Sequence, residues 1–340
     1  MKTYKDKTLL ITGGTGSFGE TILSHFLQTD ICEIRIFSRD EKKQEDLRLK
    51  FRNPRINFII GDVRDFKSIN QALCGVDYLF QAAALKQVHT CEFFPLQAIN
   101  TNILGSENVL EAAILNKVCR TVVLSTDKAV YPINTMGMTK ALMEKLAISK
   151  ARDSRLNDVG GKISITRYGN VMCSRGSVIP LFIDQIKSGK EITITLPKMT
   201  RFLMSLDESV SLVLKAFEEA DSGDILVQKA PSCTVMELAK ALCKIFERKS
   251  SINILGARHG EKLYETLCSR EEMAKAEDLG NYYKIPPDLR DMNYSRYTNT
   301  MVEGDGQVSE YNSNNTSLLS EEAIIAILLK QPYVLEQLRT

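Results

Sequence analysis

Apolar and polar residues fall in blocks along the first half of the chain rather than alternating singly. Short apolar runs at Leu9–Thr12, Ile34–Phe37, Ile56–Ile60, Tyr78–Phe80 and Thr121–Leu124 are separated by stretches with helical spacing. Apolar runs of this length, bounded by turn residues, suit strands buried on both faces. Their alternation with helical patterns at Glu20–Leu27, Leu96–Lys117 and Ala141–Ile148 predicts a doubly wound parallel sheet. Ile163–Tyr168 adds another strand to this part.

Beyond about residue 170 the pattern becomes mixed. Short strands at Glu191–Thr195, Asp224–Val227 and Ile252–Ile254 mingle with helices at Ile179–Lys187, Asp207–Ala220 and Val235–Phe246. The expected division is a nucleotide-binding domain over 1–170, its core strands continuing slightly beyond, and a smaller mixed C-terminal substrate lobe over 171–340. Residues 301–318, rich in Gly, Ser and Asn, read as a long loop, and Glu321–Leu338 as one or two helices.

Composition narrows the choice. The 340 residues are 25% charged with a net charge of +2, so neither a nucleic-acid nor a membrane surface is indicated. The eight cysteines include no Cys-x-x-Cys pair, which fits free thiols in a reducing compartment and no metal site. The apolar run near the N-terminus is too short for a signal peptide or membrane span. A soluble cytoplasmic protein is the expectation.

The first strand runs directly into Gly13-Gly-Thr-Gly16-Ser-Phe-Gly19. A glycine-rich turn between a first strand and a helix lets backbone approach a pyrophosphate, which then sits on the helix N-terminus. Gly13, Thr15, Gly16, Ser17, Phe18 and Gly19 are therefore the candidate dinucleotide cradle of a Rossmann-like α/β fold. After the second strand come Ser38, Arg39, Asp40 and Lys42. A guanidinium there suits the 2′-phosphate of NADP, whereas Asp40 keeps NAD open as a ribose acceptor. Asp62 and Val63 follow the third strand as adenine neighbours, and Ala82, Ala83 and Ala84 follow the fourth, where small residues admit a cofactor.

The fifth strand opens into Ser125-Thr-Asp-Lys-Ala-Val-Tyr-Pro and then Met136-Gly-Met-Thr-Lys140. Open α/β sheets place their chemistry at the carboxyl ends of strands. Thr126, Asp127, Lys128 and Lys140 are the candidate catalytic residues. Met136 stands four residues before Lys140, where a tyrosine would supply a phenol.

Together Thr12–Gly19, Gly61–Val63, Ala82–Val88, Ser125–Lys128 and Arg167–Val171 resemble the extended short-chain dehydrogenase/reductases. More narrowly, the chain resembles the soluble capsule-type, 5-inverting UDP-N-acetylglucosamine 4,6-dehydratases, a branch also labelled UDP-glucose 4-epimerases. The likeness extends through Arg201–Ser205, Gln228–Pro231, Arg258–Lys262 and Tyr311–Ser313. It implies a lyase of capsule or O-antigen sugar synthesis that uses tightly bound NADP. Such an enzyme oxidises C4 of the sugar, eliminates water across C5–C6 and returns hydride to C6.

The resemblance implies Asp127 as acid toward the C6 oxygen, Lys128 as C5 base, Thr126 near O4, and Lys140 on the nicotinamide ribose. A lysine base near neutral pH calls for a lowered pKa. Arg258 and Glu261 would hold UDP. Lys86, Asn170, Val171, Arg175 and Arg201 are further substrate candidates; Asn170 and Tyr168 are also cofactor candidates. Met136 leaves the O4 base open, with Tyr131 the nearest phenol. Relatives of this kind assemble as homo-oligomers, often hexamers. Two rivals remain: a UDP-hexose 4-epimerase, which needs a phenol and no C6 acid, and a catalytically silent NADP-binding sensor or scaffold.

Overall fold

The computed structural model describes residues 4–174, 176–248, 250–257, 259–288 and 308–339. Its centre is one nine-stranded sheet. Strands β1 (Thr8–Thr12), β2 (Glu33–Ser38), β3 (Ile56–Ile60), β4 (Tyr78–Gln81), β5 (Arg120–Leu124) and β6 (Lys162–Arg167) run parallel in the spatial order 3-2-1-4-5-6. Leu9, Leu10 and Ile11 of β1 are fully buried, as expected for a central strand covered on both faces. The order reverses between β1 and β4, and this switch point opens a crevice at the carboxyl ends of both strands.

The C-terminal half also feeds this sheet. Ile225–Gln228 pairs parallel with β6, and Tyr282–Ile285 and Glu277–Asp278 extend the edge antiparallel. The helix Leu206–Glu219, started by a capping box between Ser205 and Glu208, buries Val210, Val213 and Phe217 against the sheet. A separate core gathers Ile179, Phe182, Ile183, Leu238, Leu242, Leu328 and Val334. Among the described residues three two-stranded pairs complete the C-terminal half, and one of them, Thr266–Cys268 with Tyr311–Asn312, packs on the core beside the large sheet.

Two expectations change. The helix expected over Leu96–Lys117 is broken into Pro95–Ala98, a π-helical turn Ile99–Leu104, and Gly105–Leu115. The extra residue of that turn carries Thr101 and Asn102 inward, where both are buried. Gly105 permits it, since a Cβ there would lie 2.8 Å from Val63 Cγ2. The loop expected over 301–318 contains the strand Tyr311–Asn312; residues 301–307 lie outside the described residues. The chain closes with two helices, Glu321–Leu328 and Pro332–Arg339. Among the described residues no helix is long and apolar enough to cross a membrane.

Candidate active site

The crevice holds two cavities above the sheet. The smaller, about 260 Å³, is bounded by Gly13, Thr15, Ser38, Arg39, Asp62 and Val63, with Thr101 and Lys43 completing it. Gly13 has φ +63, and a Cβ on it would meet the Ala83 backbone at 2.9 Å. The turn thus needs glycine both for its conformation and for its close approach to β4. Gly16 is the N-cap of helix Ser17–Phe26 and supplies no side-chain hydrogen bond, so the first-turn N–H groups stay available to an anion. These features fit a dinucleotide.

Arg39 is half-exposed at the adenosine end and lies 3.5 Å from Asp62. Asp40 is already engaged: it accepts from Lys43 N at 3.0 Å as a helix N-cap and pairs with Lys43 Nζ at 2.6 Å. Lys42 is displaced from the expected site. It pairs with Asp46 along the exposed helix face, one turn on, and Lys43 lines the cavity in its place.

The second cavity, about 360 Å³, joins the glycine turn to the stretch after β5. Gly16, Ser17, Phe18, Gly19, Ala82, Ala83, Ala84, Lys86, Thr126, Asp127, Lys128, Met136, Lys140, Tyr168, Asn170 and Val171 all line it. Asp127 opens a short 3₁₀ turn at the end of β5, anchored by its N–H on the Tyr168 carbonyl at 3.0 Å. The carboxylate is buried; Oδ1 accepts from Thr126 Oγ1 at 2.7 Å and Lys128 Nζ at 3.0 Å. Oδ2 has no protein partner, so this oxygen is free to meet a ligand.

Lys128 differs from expectation. Burial pushes its pKa down, but the carboxylates of Asp127 and Glu265 (3.4 Å) outweigh burial and hold it above the ordinary lysine range. It is an ammonium at neutral pH and becomes a base only after giving up that proton. Lys140 goes the other way. Its Nζ donates to the Leu124 carbonyl at 2.7 Å, and burial lowers its pKa to about 8 against the opposing pull of Glu144.

Met136 is buried against Cys91 and Ala98 beside Lys140. Tyr131 does not replace it: its hydroxyl accepts from Arg270 N at 3.1 Å and reaches Glu271, outside the cavity. Tyr168 stacks on Phe18 at 5.3 Å, and burial, then the nearby Asp127 charge, push its phenol upward, which keeps it protonated.

A third cavity, about 730 Å³, continues from Lys128, Asn170 and Val171 into the C-terminal lobe, where Arg201 and Glu261 line it. Asn170 Oδ1 and Glu261 Oε2 are buried without protein partners. Arg175 and Arg258 lie outside the described residues. Sequence reading missed Glu265, Lys43 and Thr101. Glu265 is 3% exposed at the entry to strand Thr266–Cys268, and a carboxylate abutting a buried strand was the available signal. Lys262, its neighbour, donates to the Val130 carbonyl at 2.6 Å.

Comparison with known proteins bears on what such a site serves. A model of the polysaccharide biosynthesis protein family matches residues 9–287, and one for the C-terminal part of such proteins matches 288–335. The chain belongs to this family. Relatives in Rickettsia canadensis and Rickettsia bellii, both named UDP-glucose 4-epimerase, are 61% and 62% identical over 343 residues, with 99% of both chains covered. Among solved structures, Pen from Bacillus thuringiensis superposes with TM-score 0.88 and 35% identity over 97% of this chain and 100% of its own. The dTDP-glucose 4,6-dehydratase DesIV from Streptomyces venezuelae shares the fold at TM-score 0.69 and 22% identity, covering 75% of this chain and 86% of its own. Named relatives in this polysaccharide biosynthesis family act on nucleotide sugars, and this chain is an enzyme of that group.

Proposed function

We propose that the chain is a UDP-N-acetylglucosamine 4,6-dehydratase, 5-inverting in outcome, serving surface-polysaccharide precursor synthesis with bound NADP. One observation carries the reading: a buried Asp127–Lys128 pair with a free carboxylate oxygen faces the cavity junction, while Met136 stands in the phenol's place. Elimination across C5–C6 needs an acid for the C6 oxygen and a base for the C5 proton. A 4-epimerase needs neither, and relies on a phenol at the position that Met136 occupies here.

When bound, the dinucleotide supplies a reversible hydride acceptor for C4. Gly13, Gly16 and the first-turn N–H groups would hold its diphosphate, and Lys140 its nicotinamide ribose. NADP is favoured over NAD because Arg39 lines the adenosine end of the cavity while the Asp40 carboxylate is committed to Lys43. Asp127 Oδ2 delivers a proton to the C6 oxygen. Thr126, already donating to Asp127, is placed to pass the O4 proton to it. Lys128 takes the C5 proton. Each acid or base step is worth roughly 10²–10⁴-fold. Glu261 and Arg201 line the cavity for the nucleotide of a UDP-sugar.

The test is NMR of purified protein with UDP-N-acetylglucosamine in D₂O, with the released cofactor identified by mass. A 6-methyl signal, a hydrated C4 ketone and deuterium at C5 are expected, with the coupling pattern of the inverted C5 epimer. UDP-N-acetylgalactosamine without deuterium would establish the epimerase that the Rickettsia names describe. An untouched sugar in NADP-loaded protein would leave the sensor or scaffold reading.

A further inference from the structure

Elimination at this site lacks two proton carriers. Lys128 starts as an ammonium and must lose its proton before it can accept one from C5. A second group must then return a proton to C5. No phenol is available to take the first proton: Met136 replaces one, Tyr131 faces away, and Tyr168 is held protonated.

Glu265 touches Lys128 and lines the cavity beside it. It lies at the start of strand Thr266–Cys268, which packs against the 3₁₀ turn Asp127–Ala129. Its backbone is fixed on Ser313: Glu265 N donates to Ser313 Oγ at 3.0 Å, and Ser313 N donates to Glu265 O at 2.8 Å. Oε1 is 3.4 Å from Lys128 Nζ and 3.8 Å from Arg201 Nε. Oε2 is buried with no protein partner, and the residue lines the cavity on the lobe side. Asp127 lines the cavity on the cofactor side, and Lys128 lines both. The ammonium therefore bridges two buried carboxylates, each with one free oxygen. Arg201 and Lys262 are the other cations in the surroundings. Two carboxylates and one ammonium are more than an acid and a base require.

We propose that Glu265 is a third acid–base residue: it takes the ammonium proton of Lys128 before C5 is deprotonated, and returns a proton to C5 after water has left. The proposal rests on the dehydratase reading. Its proton count closes. With C4 a ketone, Asp127 carries the proton received from O4. Lys128 passes its proton to Glu265, and the neutral amine removes the C5 proton. Asp127 protonates the C6 oxygen, the C6–O bond breaks, the C5–C6 double bond forms and water departs. As hydride returns to C6, Glu265 gives its proton to C5. Asp127 and Glu265 end ionised and Lys128 ends protonated, as they began. Separate groups for removal and return free the two C5 steps from sharing one direction, which inversion requires.

The test is Glu265→Gln in holoenzyme with UDP-N-acetylglucosamine in D₂O, followed by NMR and by the absorbance of reduced nicotinamide. C4 oxidation does not use Glu265. The expected result is 6-methyl formation slowed by about 100-fold or more, with reduced nicotinamide and ketone building up and no deuterium at C5. Glu265→Asp should recover part of the rate. Turnover of Glu265→Gln within about tenfold of the parent, or a loss without reduced nicotinamide in protein that keeps its cofactor, overturns the proposal. If Glu265→Gln does not fold, Glu265→Asp decides: unaltered turnover overturns it, and slowed turnover with reduced nicotinamide supports it. Failure of the dehydratase reading is distinct, because the unsubstituted protein would then form no 6-methyl sugar.

Discussion

Lys140 is buried at a cost to the fold that can be measured. Burial lowers its pKa from 10.5 to about 8, so between those values the unfolded chain binds more protons than the folded one. This residue therefore makes folded protein more stable as pH rises from about 8 toward 10.5, and its unfavourable charge is fully present below about 8. Lys140→Met should abolish turnover while losing this rise in the urea midpoint between pH 8 and 10. An unchanged rise would place the titration elsewhere. That Asp127, Lys128 and Lys140 line one cavity was legible from strand-end position and local order. What the sequence hid was their charge state. Lys128 reads as a lone base next to Asp127, and only the fold brings Glu265 across from the lobe to hold it protonated.

At the scale of elements, the strands β1 to β6 were legible from their apolar runs, because central parallel strands bury both faces. The π-helical turn Ile99–Leu104 was not, since its residues keep a helical pattern while shifting by one position. Its result is local: Asn102 clamps Leu85, accepting from Leu85 N at 2.8 Å and donating to Leu85 O at 3.0 Å. The small strands near Tyr282 and Tyr311 were also hidden, because edge and two-residue strands have no periodicity to read. The start of helix Thr135–Lys150 shows an element end doing two jobs. Asn134 Oδ1 accepts from Gly137 N at 2.8 Å, and Nδ2 donates to Gly260 O at 2.9 Å in the segment that precedes Glu261. Asn134→Ala removes both, and the lost cap should cost about 0.5–2 kcal/mol in urea unfolding. It should also raise the KM for UDP-sugar; an unchanged KM would show that Gly260 is held by its surroundings alone.

Strand β6 and the C-terminal half also meet through an ionic cluster around the buried Arg167. Arg167, at the end of β6, is 2% exposed. Its Nη2 lies 2.6 Å from Glu144 of helix Thr135–Lys150, and its Nη1 lies 2.8 Å from Glu272 of the lobe. Nη1 also donates to the Leu267 carbonyl at 2.8 Å, two residues after Glu265. Ser125 in turn donates to Glu144. A cluster of this kind is weak evidence of net stability, since three charges have been taken out of water, but removing one partner leaves the others uncompensated. Arg167→Leu should therefore cost about 3–5 kcal/mol. The loss has a pH signature. Burial raises the Glu272 pKa, but the Arg167 guanidinium more than offsets it and holds the carboxyl below its usual range. Its stabilisation is present above the unfolded value of 4.5 and fades as pH falls through the lower folded value. The deficit of Arg167→Leu should thus be largest near neutral pH and shrink on acidification, as Glu272 takes up its proton. Urea unfolding followed by circular dichroism at several pH values measures this. A deficit independent of pH would mean that Arg167 acts by packing, and that the lobe is held over Asp127 and Lys128 by the strand Thr266–Cys268 without help from charge.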